Sequence, residues 1–553
     1  MGAPKHLRQA QPEHAASGHR VLTLVLLAFA SVVLSLIACF VAAQLRGPFS
    51  TGGWINRFWL AFFAMTAFLV GAFVVCRDWL ESKPERLYLI TVLCVTTLFA
   101  WSFSARAVGW DTGIHYRNTV RFTDWVGEVE TSAADEALIA IDPNLAAQDS
   151  SLSTVDAQEE SLDTLAAGNT EQVGTIERPS FPVGYVTAIE YVPYALTMSL
   201  CRLVGLSASR TLLLVRLTGG IFYSIVTYLG MRKLRYGKML YAAIALLPTS
   251  VFLAAELGYS YWLFSLCLYG FATLVGMLQG GVEVRLGTLA QMLGALLLGM
   301  LPRVVYFPLI FLCLFVPTQR FPSVRAARIY RLLLVGSALL AFGVWLVPRL
   351  LTGFGTGDTR GGEVSPSAQI AYILSHPLEY AQTFARFVLP PLQMEGGAPD
   401  IEGHNLVGGF LSVEASPGLL VNYGYLPRSP WPFTAVVWAV LAWTMLTDKD
   451  AEQRMGALPG IVSLVLTFGV FVMIVTALYF DFTPVALPEI HGVQRRYLLP
   501  MLYPLLAFVG PSGLGLTGQQ PRVAISWYNG IVLGCMVAVL LGSFWCSCVS
   551  LIV

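Results

Sequence analysis

Long apolar runs recur along the chain, separated by short polar connections, and most are long enough to cross a membrane. A spanning helix needs about 20 mostly apolar residues, each adding 1.5 Å. On that basis we predict an all-α polytopic membrane protein with about thirteen transmembrane helices. These lie near residues 21–43, 57–76, 87–105, 210–230, 239–256, 260–279, 287–301, 304–317, 332–350, 432–447, 457–479, 497–512 and 526–550.

One further apolar stretch, residues 184–205, is not counted as a span because it carries Glu190 and Pro193 in its middle. Lys and Arg accumulate in short cytoplasmic loops of membrane proteins. The basic segments of this chain all lie on one side of the membrane only if residues 184–205 do not cross it. They are the N-terminal tail and residues 77–86, 232–238 and 320–331. We therefore predict a cytoplasmic N-terminus and a juxtamembrane helix over 184–205 in the outer interface, with Tyr185, Tyr191 and Tyr194 among the headgroups.

This topology predicts the organisation of the chain along its length. Two long loops face outward, and the first contains an acidic insert, 127–175, that we expect to be mobile because it is rich in Asp, Glu, Ala, Ser and Thr. The second contains an amphipathic helix, 366–388, kinked at Pro377. The segments are a tail (1–20), two added helices (21–86), a core (87–350) with the first loop at 106–209, the second loop (351–431) and the C-terminal helices (432–553).

Composition supports a membrane protein and excludes some partners. Hydrophobic residues make up 56% of the 553 residues and charged residues only 12%, against about a quarter in soluble domains. A net charge of +1 without a clustered basic face gives no support for a nucleic-acid partner. The nine cysteines form no metal-binding or redox spacing. The sequence assigns no metal ligands and identifies no cofactor. A divalent metal remains an alternative, but no clear pair of carboxylates supports it.

Conspicuous charges collect on the predicted outer side. Asp111 and His115 are four residues apart in "WDTGIHYRN", so they share one face of a helical turn. Several charges on one rim indicate a polar site beside lipid, because a charge at membrane depth costs several kcal/mol unless it is paired or solvated. The alternative is that Asp111 and His115 cap a helix and meet the headgroups, and that Arg178 and Arg303 anchor lipid phosphates. The rim also holds Arg117, Glu177, Arg178, Arg303, Gln494, Arg495 and Arg496.

Several stretches carry a family resemblance, among them "WDTGIHYRN", "FPVGYVTAIEYVPYALTMSLCRLVG", "LSHPLEYAQTF" and "GVQRRYLLP". From about Leu87 onward the chain resembles the bacterial integral-membrane family of domain of unknown function 2142. That family is similar to the C-superfamily (GT-C) glycosyltransferases, which use polyprenyl-phosphate sugars at the outer membrane face. The resemblance departs at Thr112, Arg495 and Ser260, where the family often has Glu, Gly and Asp. The last departure leaves a second carboxylate unassigned.

The resemblance implies a GT-C-like fold and transfer of a sugar from a polyprenyl-phosphate donor to an envelope glycan or lipid in the bacterial plasma membrane. Asp111 would act as base, with His115 as alternate base or orienting group. Arg178 and Arg303 would bind the donor phosphate, with Arg495 or Arg496 assisting. Arg117, Glu177 and Gln494 would support them. The alternatives are a transporter or flippase for an envelope lipid or glycan, and a non-catalytic scaffold that docks through the acidic loop.

Overall fold

The computed structural model describes most of the chain, with gaps in the long loops. The described residues are 11–44, 57–102, 109, 111–124, 128–140, 160, 163–164, 174–179, 183–352, 357–358, 362–388, 417–424, 429–447, 457–510 and 525–552. Within them the fold is helical except for one two-stranded sheet.

The helices follow the apolar runs of the sequence closely. Helices α1–α6 are Gln11–Gln44, Arg57–Val75, Arg77–Ser82, Pro84–Ser102, Thr112–Val120 and Ala133–Ala140. Helices α7–α14 are Val183–Thr187, Val192–Leu203, Ala208–Lys233, Lys238–Ala245, Pro248–Ala254, Ser260–Leu278, Leu286–Met300 and Val324–Thr352. Helices α15–α21 are Pro366–Ser375, Pro377–Val388, Pro417–Leu420, Trp431–Thr447, Ala457–Asp481, Leu499–Val509 and Ile525–Ile552. Strands β1 and β2 are Val129–Thr131 and Gly174–Ile176, and 3-10 helices cover Ile189–Tyr191, Val304–Phe315, Thr318–Arg320 and Arg495–Leu498.

Length and hydropathy confirm a multi-pass membrane protein. Within the described residues, seven helices are long and apolar enough to cross a membrane, and four more apolar helices are shorter. The seven lie in α1, α4, α9, α12, α14, α19 and α21. Each of the thirteen predicted spans overlaps helical structure, in one case a pair of short helices. The count of thirteen itself stays a prediction, because several of these elements are shorter than the bilayer is thick.

The predicted span 239–256 is wrong as a single helix. It consists of α10, with 8 residues, and α11, with 7 residues. The break falls just before Pro248, whose ring removes a backbone donor and clashes with a continuing helix. Every residue from 239 to 255 is buried, and the pair contacts α4, α9, α12, α18, α20 and α21. The segment is therefore the centre of the bundle.

The predicted cytoplasmic segments lie together at one end of the bundle. Lys238, in the loop before α10, pairs with Glu85 at the start of α4 at 2.9 Å. Arg20 of α1 pairs with Asp78 of α3 at 2.8 Å. Arg320 donates from Nη2 to the carbonyl of the last residue of α12 at 3.3 Å. The four basic segments thus share one end, as the distribution of Lys and Arg predicts.

The stretch 184–205 differs from the predicted single helix. It is divided into α7, a 3-10 turn and α8, which has 12 residues and is too short to span. Tyr191 and Tyr194 are 3% and 0% exposed, so the expectation that they face the headgroups is wrong. The side chain of Tyr185 lies outside the described residues. The exposed face of α8 is instead aliphatic, with Leu196, Leu200 and Leu203.

The acidic insert is ordered at its two ends, which corrects the expectation of a mobile segment throughout 127–175. Strand β1 pairs with β2 in antiparallel register, with Val129 opposite Ile176. Helix α6 packs on α5, and its buried Asp135 accepts a hydrogen bond from Arg202 at 2.6 Å. Asp163 also accepts from the backbone N–H and the hydroxyl of Ser209 at the start of α9. Most of the intervening residues lie outside the described ones.

The predicted amphipathic helix 366–388 forms as two helices, α15 and α16. The break is at His376, immediately before Pro377, as the proline predicts. Thr383 and Phe387 are buried, and Tyr380 stacks on Tyr479 of α19 with ring centroids 5.3 Å apart. Part of the amphipathic surface therefore packs on the bundle. Leu374 and Leu378, in contrast, are more than three-quarters exposed.

Candidate functional site

Asp111 begins helix α5 in an unusual backbone conformation. Its φ of 61° lies in the left-handed region, which few residues other than glycine adopt and which Asp and Asn tolerate best. Its Oδ2 accepts a hydrogen bond from Arg496 Nη2 at 3.0 Å. The side chain of Arg496 is 4% exposed and that of Asp111 is 22% exposed. This pair therefore joins the first loop to the start of α20, and it leaves the carboxylate partly accessible.

His115 lies one turn further along α5 and has different partners from Asp111. Its Nδ1 is 2.6 Å from the hydroxyl of Tyr191. Its ring meets that of Tyr259 edge to face, with centroids 5.6 Å apart. Gly258 makes room for this contact, since a Cβ there would lie 3.3 Å from the imidazole Cδ2. The imidazole is 5% exposed, so it is held in place by aromatic neighbours.

Arg303 lies in the turn after α13 and approaches the same tyrosine. Its guanidinium carbon is 4.0 Å from the centre of the Tyr259 ring, a cation–π geometry. Its Nη1 donates to the carbonyl of Pro302 at 2.8 Å, and the residue as a whole keeps an exposed surface. Arg496 also interacts electrostatically with Tyr259 and Asp111. Tyr259 thus interacts with each of His115, Arg303 and Arg496.

Glu190 completes this group of side chains from the 3-10 turn before α8. It is 2% exposed, and its Oε2 is buried without a hydrogen-bond donor among the described residues. Burial raises the pKa of Glu190 to about 7, and its backbone N–H and the charge of Arg303 limit the rise. We call the group the polar cluster. Its members are Asp111, His115, Glu190, Tyr191, Tyr259, Arg303 and Arg496.

The helix termini explain why these residues meet. Helix α4 precedes the Asp111 turn, α13 ends just before Arg303, and α20 begins just after Arg496. Helix α4 begins at the end where Glu85 pairs with Lys238, and α13 follows α12, whose last residue contacts Arg320, so both helices end at the opposite end of the bundle. Arg496 reaches the same end, because it contacts Asp111. That end is opposite the basic loops that contain Lys238 and Arg320. The charges that the sequence predicts on one rim, Asp111, His115, Arg303 and Arg496, are therefore close in space.

Arg178 is placed differently from the other predicted phosphate ligands. It pairs with Asp124, beyond the C-terminal end of α5, at 3.4 Å. The neighbouring Glu177 is exposed, and its carbonyl accepts from Arg121 Nε at 2.7 Å. Helix α5 has nine residues and is about 13 Å long. Since Asp111 lies at its other end, the structure does not bring Arg178 and Glu177 into contact with the polar cluster.

The remaining predicted residues border the cluster. Arg117 is exposed in the last turn of α5. Gln494 and Arg495 are half-buried beside Arg496. The sequence did not decide which of Arg495 and Arg496 assists at the site. In the structure, Arg496 contacts Asp111.

Sequence analysis missed three members of the cluster, namely Glu190, Tyr191 and Tyr259. Glu190 was visible as a lone carboxylate in an apolar stretch, but it served only as an indicator of topology. Tyr191 was expected only among the headgroups and Tyr259 was not singled out, because aromatic residues near membrane interfaces are common. Among the described residues, no three His, Cys, Asp or Glu side chains lie close enough together to hold a metal ion.

Comparison with known proteins gives a family and no activity. The family model described as a predicted membrane protein, DUF2142, matches residues 105–505. No curated protein and no solved structure matches the chain. The matched region covers the whole polar cluster and leaves out α1–α4 and α21; of these, α1 and α2 pack on each other.

Proposed function

This chain belongs to the DUF2142 family of membrane proteins, and we propose that it is a glycosyltransferase that moves a sugar from a polyprenyl-phosphate donor to an envelope glycan or lipid. The observation that carries the proposal is the polar cluster. It combines a partly accessible carboxylate, Asp111, with two arginines, Arg303 and Arg496, at one end of a membrane-embedded bundle. Glycosyl transfer from a lipid phosphate requires a base for the acceptor and cations for the departing phosphate.

In this proposal the acceptor hydroxyl attacks the anomeric carbon, and its proton passes to Asp111. The bond from that carbon to the phosphate oxygen breaks, and the electron pair leaves with the polyprenyl phosphate. Arg303 keeps an exposed surface and lies beside the accessible edge of the cluster, so it is assigned to the phosphate. Arg496 holds the Asp111 carboxylate in position through a charge-assisted hydrogen bond.

His115 has a supporting role in this scheme. Its Nδ1 is engaged with the hydroxyl of Tyr191 and its ring is packed on Tyr259. Such fixed partners suit an orienting group that maintains the shape of the site, with direct proton transfer as its alternate role. Arg178, about one helix length from Asp111, is assigned to the outlying part of the donor and not to the reacting phosphate.

The proposal also includes the membrane orientation. The polar cluster would face the outer side of the bacterial plasma membrane, with the N-terminus in the cytoplasm. The positive-inside rule supports this orientation, because the basic segments share the opposite end of the bundle. The aliphatic face of α8, with Leu200 and Leu203 exposed, would lie on the lipid near the donor's polyprenyl chain.

The test is transfer of labelled sugar from a polyprenyl-phosphate donor to a membrane extract by purified protein. We expect Asp111→Asn and Arg303→Met each to lower the rate at least about 100-fold, because one removes the base and the other a cation that stabilises the departing phosphate. Arg178→Met should change it far less. The matched control is Arg285→Met, because that arginine is exposed and pairs with Glu283 in the loop before α13, at the other end. Full activity of Asp111→Asn would remove the assigned base.

A transporter or flippase is the second candidate, and one observation favours it. Arg216, in the membrane-spanning helix α9, forms a fully buried ion pair with Glu256. Ionisable side chains at membrane depth often mark transport pathways. Translocation of a fluorescent polyprenyl-phosphate sugar across proteoliposomes, without any transfer of sugar, would support this candidate against the transferase.

A further inference from the structure

Arg216 and Glu256 form an ion pair that is more deeply buried than any member of the polar cluster except Glu190. Their side chains are 0% and 2% exposed, and Arg216 Nη2 lies 3.4 Å from the carboxylate of Glu256. Taking both charges out of water costs several kcal/mol per ion, which the pairing offsets only in part. Apolar residues of similar volume often replace such a pair without loss of stability. Stability alone therefore does not account for the two buried charges.

Glu256 touches the turn that carries Asp111. Gly109 is buried against its carboxyl group, and a Cβ at that position would lie 3.1 Å from Glu256 Oε2 and 3.2 Å from its Cγ. The turn is closed by Thr112, whose hydroxyl donates to the carbonyl of Gly109 at 2.8 Å. Glu256 thus lies directly beneath the turn in which Asp111 adopts its left-handed conformation.

The segment that follows Glu256 touches the rest of the cluster. Gly258, two residues on, packs against the ring of His115, and Tyr259 stacks under Arg303. On its other side, the carbonyl of Glu256 accepts a hydrogen bond from the hydroxyl of Tyr194 at 3.0 Å. A shift of Glu256 would therefore move the supports of Asp111, His115 and Arg303 together.

We propose that the Arg216–Glu256 ion pair is a positioning device, which fixes the segment 256–259 and thereby holds Asp111 against Arg496. A left-handed Asp costs free energy that the surroundings must offset. Packing of Gly109 and of the His115 ring on the fixed segment 256–259 supplies that support. Neither Arg216 nor Glu256 touches the reacting atoms in this scheme. The inference about rate rests on the proposed transferase function, whereas the inference about geometry does not.

The experiment uses the full-length protein in detergent and begins with a variant that leaves no lone charge. In Arg216→Met/Glu256→Leu both charges are removed, so the fold should persist. Thermal unfolding is then measured with and without Asp111→Asn in both backgrounds. If the pair holds Asp111 against Arg496, Asp111→Asn should lower Tm in the wild type and by less than half as much in the double variant. Equal effects in both backgrounds would overturn the proposal.

A second, gentler variant covers the case in which the double variant fails to fold. Gly109→Ala keeps the ion pair but places a methyl group against Glu256. We expect kcat to fall at least tenfold with the KM for the donor unchanged within about twofold, because the methyl group displaces the turn of Asp111 while the retained ion pair still fixes Tyr259 under Arg303. Gly294→Ala is the matched control, since nothing lies within 4 Å of a Cβ at that position. Unchanged kcat in Gly109→Ala would count against the positioning role.

The two readouts separate the failure of this inference from that of the proposed function. Absence of transfer by the wild type would refute the transferase, while the coupling of Asp111→Asn to the ion pair would still decide the positioning role. Transfer by the wild type with additive effects on Tm would leave the transferase standing and refute the positioning role.

Discussion

The buried carboxyl group of Glu190 predicts a specific dependence of stability on pH. Burial raises its pKa from the ordinary value of 4.5 to about 7. Between these values the unfolded chain releases the proton while the folded protein retains it. Folding is therefore favoured most at low pH, and the advantage is lost as the pH rises through 4.5 to 7. The change to test is Glu190→Gln, which is nearly isosteric and carries no charge at any pH.

The size of the effect follows from the two values. They differ by about 2.5 pH units, and one unit corresponds to 1.36 kcal/mol, so the loss approaches about 3 kcal/mol by neutral pH. The groups that face Glu190 are Arg303, Tyr191 and Tyr261. Arg303 keeps its charge and Tyr191 its proton across this range, so Glu190 is the group that titrates.

The assay is chemical unfolding of the purified protein from pH 4.5 to 8.5, compared between wild type and Glu190→Gln. The two should have similar free energies of unfolding at pH 4.5, and the variant should be more stable by about 3 kcal/mol at pH 8. Glu363→Gln, at an exposed carboxylate, is the control and should follow the wild type. Parallel curves for wild type and Glu190→Gln over the whole range would refute the assignment of a buried, protonated Glu190.

Three further predictions concern neighbours of the site. Tyr191→Phe removes the hydroxyl that lies 2.6 Å from Nδ1 of His115, and we expect a roughly tenfold lower transfer rate at similar Tm; an unchanged single-turnover rate would exclude an orienting role. Asp135→Asn weakens the buried contact with Arg202 and should cost about 1–3 kcal/mol, measured by chemical unfolding; no loss would contradict this. Gly113→Ala places a methyl group 2.5 Å from a backbone carbonyl of α6, so limited proteolysis between β1 and β2 should accelerate, whereas an unchanged cleavage pattern would argue against the packing.

Much of the fold could be predicted from hydropathy, because a membrane span requires a long apolar run. The central segment 239–256 shows the limit of that criterion. A buried pair of short helices and a span have the same composition, and Pro248 was the one local indication of the break. The acidic insert shows a second limit. Its composition could not reveal that Asp135 is buried and forms an ion pair with Arg202.

The sequence could predict which individual charged residues belong to the site, but not how they pair. Asp111, Arg303 and Arg496 stood out because charges are scarce in this chain, and the structure brings them together. The partners could not be paired from sequence, since Arg496 lies 385 positions from Asp111. The ion pair of Arg216 and Glu256 was not predicted from the sequence for the same reason. Pairing across helices depends on packing angles that periodicity does not specify.

The sheet formed by β1 and β2 has a practical use. It brings Thr131 and Gly174 side by side, so the chain between them leaves and returns at almost one point. Lengthening a closed loop is inexpensive, at about 0.6 kcal/mol for each doubling of its length. We therefore expect that a rigid soluble domain can be inserted between α6 and Asp163 without a change in the conformation of Asp111. Such a fusion would add a large, recognisable mass to a protein that is otherwise mostly embedded in detergent, and it would serve as a fiducial marker for electron microscopy.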